Sequence, residues 1–124
     1  MSFASDIEKF AKKTNRNSEE VCQGLFVNLF SRIIEGTRVD TGRLRGNWQT
    51  SVGSPSMTED NDRLDPTGDR AKGEVETTID PTKVNYLTNN LPYAKVWEDV
   101  DGMVAKNIVR LKRTLKEEIR NVTN

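Results

Sequence analysis

Histidine is absent from the 124 residues, and cysteine occurs once, as Cys22. Without histidine, Ser-His-Asp and Cys-His catalysis and the usual zinc ligand sets are excluded. A lone cysteine cannot close an internal disulfide and suits a reducing compartment. Apolar material is scarce as well, at 34% of the chain with 6% aromatic, so one modest core and one domain spanning 1–124 are expected. No run approaches the ~20 apolar residues that a membrane-spanning helix needs, and no apolar signal-peptide core follows Met1. A soluble, cytoplasmically made protein without a membrane partner is the expectation. Nor does either charge dominate, since 19 basic and 19 acidic residues cancel and leave no global field towards nucleic acid or an anionic surface.

What is present is helical periodicity at both ends. Residues 4–14 put Ile7, Phe10 and Ala11 on one face, with Ser5 or Asp6 able to cap the first turn and Asn15-Arg16-Asn17 to stop the helix. Asn17, with Glu20 three positions on, forms a loose capping box. From there Val21, Cys22, Leu25, Phe26, Leu29, Phe30, Ile33 and Ile34 recur every three or four residues, which predicts the core-organising helix. Gly36 fits its C-terminal left-handed cap. At the other end, Asp101 can cap a helix carrying Val104, Ile108, Leu111, Leu115, Ile119 and Val122 on one face, while Lys106, Arg110, Lys112, Arg113, Lys116, Glu117 and Glu118 form its solvated side.

The middle of the chain alternates instead. Asp40-Thr41-Gly42 carry turn chemistry, and Thr41 can cap a single helical turn through Arg45. Gly46–Val52 then read as a strand, with Trp48, Thr50 and Val52 on one side, and 73–80 as a second through Val75, Thr77 and Ile79, paired antiparallel with the first. Val84, Tyr86 and Thr88 suggest a third strand before the Asn89-Asn90-Leu91-Pro92 turn, and Pro92 opens a short helix through Glu98 with Tyr93, Ala94 and Trp97 inward. Between the first two strands, residues 54–72 are nearly devoid of large apolar groups and predict a long flexible loop outside the core, free to order against a neighbour. The fold class is α+β, a small antiparallel sheet packed by two long amphipathic helices.

Few residues invite a chemical role. Cys22, inside the apolar stripe and without a basic neighbour, reads as packing. Glu59, Asp60, Asp62 and Asp65 lack the sixth-position glycine and closing glutamate of a calcium loop, so no metal site is assigned. No catalytic residue and no cofactor is expected. Arg43 and Arg45, next to Trp48, fit either a nucleic-acid contact or a protein interface, and the zero net charge favours the interface. Asp60, Asp62, Arg63, Asp65 and Arg70 join them as expected subunit contacts through the loop. Asp40, Thr41, Gly42, Trp48, Asn89, Pro92 and Tyr93 are expected to shape turns and core.

Two blocks carry a resemblance. Leu29–Ile34 followed by Val39-Asp40-Thr41-Gly42-Arg43-Leu44-Arg45-Gly46-Asn47-Trp48, and then Tyr86-Leu87-Thr88-Asn89-Asn90-Leu91-Pro92-Tyr93-Ala94 with Glu98 and Gly102-Met103-Val104, resemble the two markers of the phage minor tail component family, which includes neck and tail-completion proteins of long-tailed bacteriophages. It extends from about Glu8 to the last helix, failing mainly over 54–72. Only Asp99-Val100-Asp101 stand where family members often carry a longer glycine-rich loop. The resemblance implies a structural virion protein at the head-tail junction, joined in a homo-oligomeric ring with six subunits the expected number, and a loop that orders only on assembly would leave the free protein monomeric. The ring would sit between the head-closure or connector proteins and the tail tube or terminator, with genomic DNA passing through its lumen unread. A tail terminator that halts tube growth is the neighbouring alternative, and a small DNA-binding regulator the distant one.

Overall fold

The computed structural model describes residues 3–59 and 62–123, and of residues 3 and 119–123 the backbone alone. In chain order its elements are α1 (Phe3–Lys13), α2 (Ser18–Gly36), α3 (Arg43–Gly46), β1 (Gln49–Val52), α4 (Asp69–Thr78), β2 (Asn85–Thr88), α5 (Ala94–Asp101) and α6 (Ala105–Thr123). The class is α+β, as the alternation of patterns predicts, with a two-stranded antiparallel sheet among the described residues.

Local chemistry accounts for most helix ends. α1 stops where Asn15 adopts φ 58°, a left-handed conformation that asparagine tolerates better than most side chains. Asn17 then caps α2, its Oδ1 accepting from the Glu20 amide at 2.8 Å while its Nδ2 donates to the Glu20 carboxylate at 3.1 Å. The far end of α2 corrects one expectation. Gly36 is the last helical residue and has no positive φ; the chain leaves through Thr37 in an extended conformation, whose amide donates to the Ile34 carbonyl at 3.2 Å. Thr37 is buried, and its hydroxyl donates to the Ile33 carbonyl, so a side-chain bond does what a glycine cap would have done.

Residues 73–80 are the largest departure. They form most of α4 rather than a strand, because Ala71, Val75 and Ile79 lie four residues apart and all three are buried. Val75, Thr77 and Ile79 satisfy a period of two equally well, so apolar spacing alone was ambiguous. The start of the helix decides it: Gly68 enters at φ 79°, and the buried Asp65 accepts a hydrogen bond from the Ala71 amide at 3.0 Å through Oδ2. β1 therefore pairs with β2 instead, in the register Gln49 to Thr88, Thr50 to Leu87, Ser51 to Tyr86 and Val52 to Asn85.

That helix also overturns the picture of a free loop over 54–72. Residues 69–72 are helical, and residues 62–68 are stitched to the body. The Arg63 side chain is only 10% exposed and bonds Glu74, while also donating to the Trp48 carbonyl at 3.2 Å. Pro66 lies against Gly42, where a Cβ would come within 2.6 Å of the proline nitrogen. Gly46 has no more room, since a Cβ there would stand 2.4 Å from the Arg63 carbonyl oxygen. Further out, Gln49 donates to the Thr58 carbonyl at 2.7 Å and Asn90 to the carbonyls of Ser56 and Thr58 at 2.8 Å. A polar composition here means hydrogen bonding to the fold, not separation from it.

The main core gathers Phe30, Ile33 and Ile34 of α2, Trp48, the buried face of α4 and Met103. A second cluster joins Ile7 and Ala11 of α1 to Val21 and Leu115, so α1 and the outer half of α6 close over the N-terminal half of α2. Ile119 and Val122, expected on the same face of α6, have side chains outside the described residues. Asp101 does not cap α6. Glu98 does, its carboxylate accepting from the amides of Val104 at 2.8 Å and Ala105 at 3.2 Å, while Gly102 at φ 61° turns the chain between the helices. No helix among the described residues is long and apolar enough to cross a membrane.

Candidate subunit interface

The two sequence blocks meet on one side of the molecule. From the first, Gly42 adopts φ 90° and starts α3, with the Arg43 amide bonded to the Thr41 hydroxyl at 3.3 Å. From the second, the Asn89 side chain donates to the Leu44 carbonyl at 2.8 Å and accepts from the Leu91 amide, which ties the turn after β2 to α3. Leu44, Leu91 and Ala94 then bury one another, and α5 starts there. Pro92 stays exposed at the mouth of this turn.

Arginines and aromatic rings line the surface so formed. The Arg43 guanidinium lies 5.2 Å from the Tyr93 ring centroid and donates from Nε to the Tyr93 hydroxyl at 2.9 Å. The Arg38 guanidinium stacks 3.7 Å from the Trp97 centroid and forms a two-pronged pair with Asp101, from Nε at 2.9 Å and Nη2 at 2.8 Å. Together with Asp40, Thr41 and Leu44 these side chains border an open cleft of about 390 Å³. Beyond it, α5 presents Val96 and Val100 to solvent, 55% and 63% exposed and one helical turn apart.

The Arg38–Asp101 pair sets a pH response. Hydrogen bonding from Arg38 holds the Asp101 carboxyl below its ordinary value of 3.8, and the same bond raises the Arg38 pKa, so both partners favour the charged state. For a depressed carboxylate, the stabilising contribution is complete above 3.8 and is lost as the pH falls through the lower, folded-state value. In Arg38→Gln, the Asp101 titration followed by carbon-detected NMR should move up towards 3.8, and a midpoint that stays put would show another cause. Cys22 shifts the other way, its thiol pushed up by burial and by Glu19, which disfavours the thiolate.

The residues expected at an interface are divided by the fold. Arg43 belongs to the cleft. Arg45 faces inward, giving hydrogen bonds to the carbonyls of Thr37 and Glu35 at 2.8 Å and Pro66 at 2.6 Å, so its role is structural. Arg63 and Asp65 are likewise used inside the fold, on Glu74 and on the α4 amide. Asp62 and Arg70 are exposed, and Asp60 lies outside the described residues. Of the expected turn and core residues, Trp48 is buried, Gly42 and Asn89 hold the turns, and Asp40 and Thr41 edge the cleft. Arg38, Val96 and Val100 were not singled out from sequence. An arginine in a loop carries no local signal, and only the return of α5 to the end of α2 puts it beside Trp97.

No protein-family model, curated protein or solved structure matches this chain.

Proposed function

We infer that the chain is a structural subunit of a tailed-phage neck, a tail-completion protein that joins others of its kind in a ring between the capsid connector and the tail tube. Six subunits are the expected number, and DNA passes through the ring without being read. The observation that carries this reading is the convergence of the two blocks resembling phage minor tail components on one exposed surface. Their residues supply Arg43, Tyr93 and the Leu44 edge of the cleft, and α5 adds Trp97, Val96 and Val100. Arginine, tyrosine and tryptophan around a partly apolar patch are the side chains enriched where proteins bind one another. The chemistry of the cleft also suits adhesion better than catalysis: Arg38 is neutralised by Asp101, and Arg43 is held by a phenol. The polar stretch over 54–72 lends no support, since much of it is bound into the fold.

Cryo-electron microscopy of the particles made with this chain tests the reading. Density for the subunit in a ring at the head-tail junction is expected, together with unjoined heads and tails when the gene is deleted. Normally joined particles from the deletion would overturn it, and overlong tails would identify a terminator instead.

A further inference from the structure

A second surface runs along α2 from Val21 to Arg32. Between α2 and α6 runs a groove of about 300 Å³, floored by Leu25, Leu29 and Leu111 and rimmed by Arg32, Arg110 and Glu118. That is twice the ~150 Å³ known to accept a benzene-sized apolar group. Gly24 leaves its wall open, with nothing within 4 Å of where a Cβ would stand. Among the described residues, neither Arg32 nor Arg110 pairs with a carboxylate; Arg32 reaches only the Asn28 side chain, at 3.0 Å. The groove thus offers an apolar floor with three arginines at its edge, Arg16 beside Glu20 and the carboxylate-free Arg32 and Arg110, and one acid, Glu118.

The exposed face of α5 offers an apolar ridge, Val96 and Val100. Val96, Asp99 and Val100 share one face, at spacings of three and four, and Lys95 stands beside Asp99 at 3.3 Å. The two valines repeat at the same four-residue interval as Leu25 and Leu29, the condition for a helical ridge to seat between side chains of another helix. Asp99 is paired with Lys95 only by a weak exposed bridge, so its carboxylate is available to Arg32 and Arg110, and α5 as a whole carries one lysine against three acids. Within one molecule the α5 ridge stands apart from the leucine floor of the groove. α5 is anchored beside Arg38, past the C-terminal end of α2, whereas Leu25 lies about 14 Å of helix before Ile34 at 1.5 Å per residue.

We propose that the Val96–Val100 ridge of one copy docks in the α2–α6 groove of the next copy of this chain. The contact joins two different patches and is head-to-tail, the kind that closes into a ring or grows into a filament. It names the partner of the α5 surface and therefore rests on the reading of this chain as a ring subunit. A single helix in a groove buries less than the ~1,200 Å² of a stable complex, so free copies exchange and association builds up only where subunits are concentrated.

Cysteine trapping tests it in the full chain with Cys22→Ser as background. Gly24→Cys places a thiol in the open wall of the groove and Val100→Cys places one on the ridge. Oxidised at high concentration, a mixture of the two single variants should give crossed dimers, and the double variant a ladder of multimers. Like-with-like dimers only, a bond closed within one chain, or no ladder would each overturn the proposal. Arg110→Glu, folded by circular dichroism, should cut the ladder about tenfold, as expected for turning attraction into repulsion at an interface edge, and Asp99→Arg added to it should restore the yield. Unchanged trapping in Arg110→Glu would also count against it. The neck assignment fails or stands on the particle images, independently of the trapping: a neck ring without the ladder removes only this contact, and a ladder without a neck ring removes only the location.

Discussion

Trp48→Ala should lower the unfolding free energy by about 3–5 kcal/mol, the range for removing a large buried aromatic. The indole is 5% exposed and sits in the main core with Phe30, Ile34, Val75 and Met103. It is also polar at one edge: Nε1 donates to the Thr37 hydroxyl at 2.7 Å, and that hydroxyl donates to the Ile33 carbonyl and touches the Met103 sulfur. Alanine would open a cavity and leave the hydroxyl in a buried site with one partner fewer. Urea denaturation followed by far-ultraviolet circular dichroism measures the loss. A change below about 0.5 kcal/mol, within the ordinary scatter of surface substitutions, would show that this packing is wrong.

Excising residues 56–67 should be at least as damaging, although their composition suggests that they are dispensable. The deletion removes Arg63 from Glu74 and from the Trp48 carbonyl, Asp65 from the first turn of α4, and Pro66 from Arg45. Hydrogen bonds to charged groups contribute roughly 1.5–3 kcal/mol each, so losing these four removes on the order of 5–10 kcal/mol, comparable with the whole stability of a small domain. Loss of cooperative thermal unfolding is the expected result. A deletion variant that melts within a few degrees of the parent would restore the view of this stretch as an appendage.

Patterns decided within a few residues were legible in the sequence. The Asn17 cap with Glu20, the apolar stripe of α2, the Gly42 turn and the break at Asn89–Pro92 depend on side chains next to the backbone they govern. Where two periods fitted the same residues, the outcome depended on a distant group. Val75, Thr77 and Ile79 alternate, yet Asp65 and the burial of Ala71 make the segment helical. At the end of α2 and the start of α6 the choice was between near neighbours, and Thr37 and Glu98 take the capping roles that Gly36 and Asp101 seemed to offer. The candidate site was half visible: Arg43 and Tyr93 stand in recognisable blocks, whereas Arg38, Val96 and Val100 acquire meaning only once α5 folds back beside the exit of α2.

The guanidinium of Arg45 joins two separate stretches of backbone, the exit of α2 at Glu35 and Thr37 and, at Pro66, the strap formed by residues 62–68. It lies at the negative pole of α2, so it offsets that helix's dipole while holding the strap over its end. Hydrogen exchange should register the link: amides at the exit of α2, in α3 and in the strap are released in one opening event of a single free energy, not as three independently fraying segments.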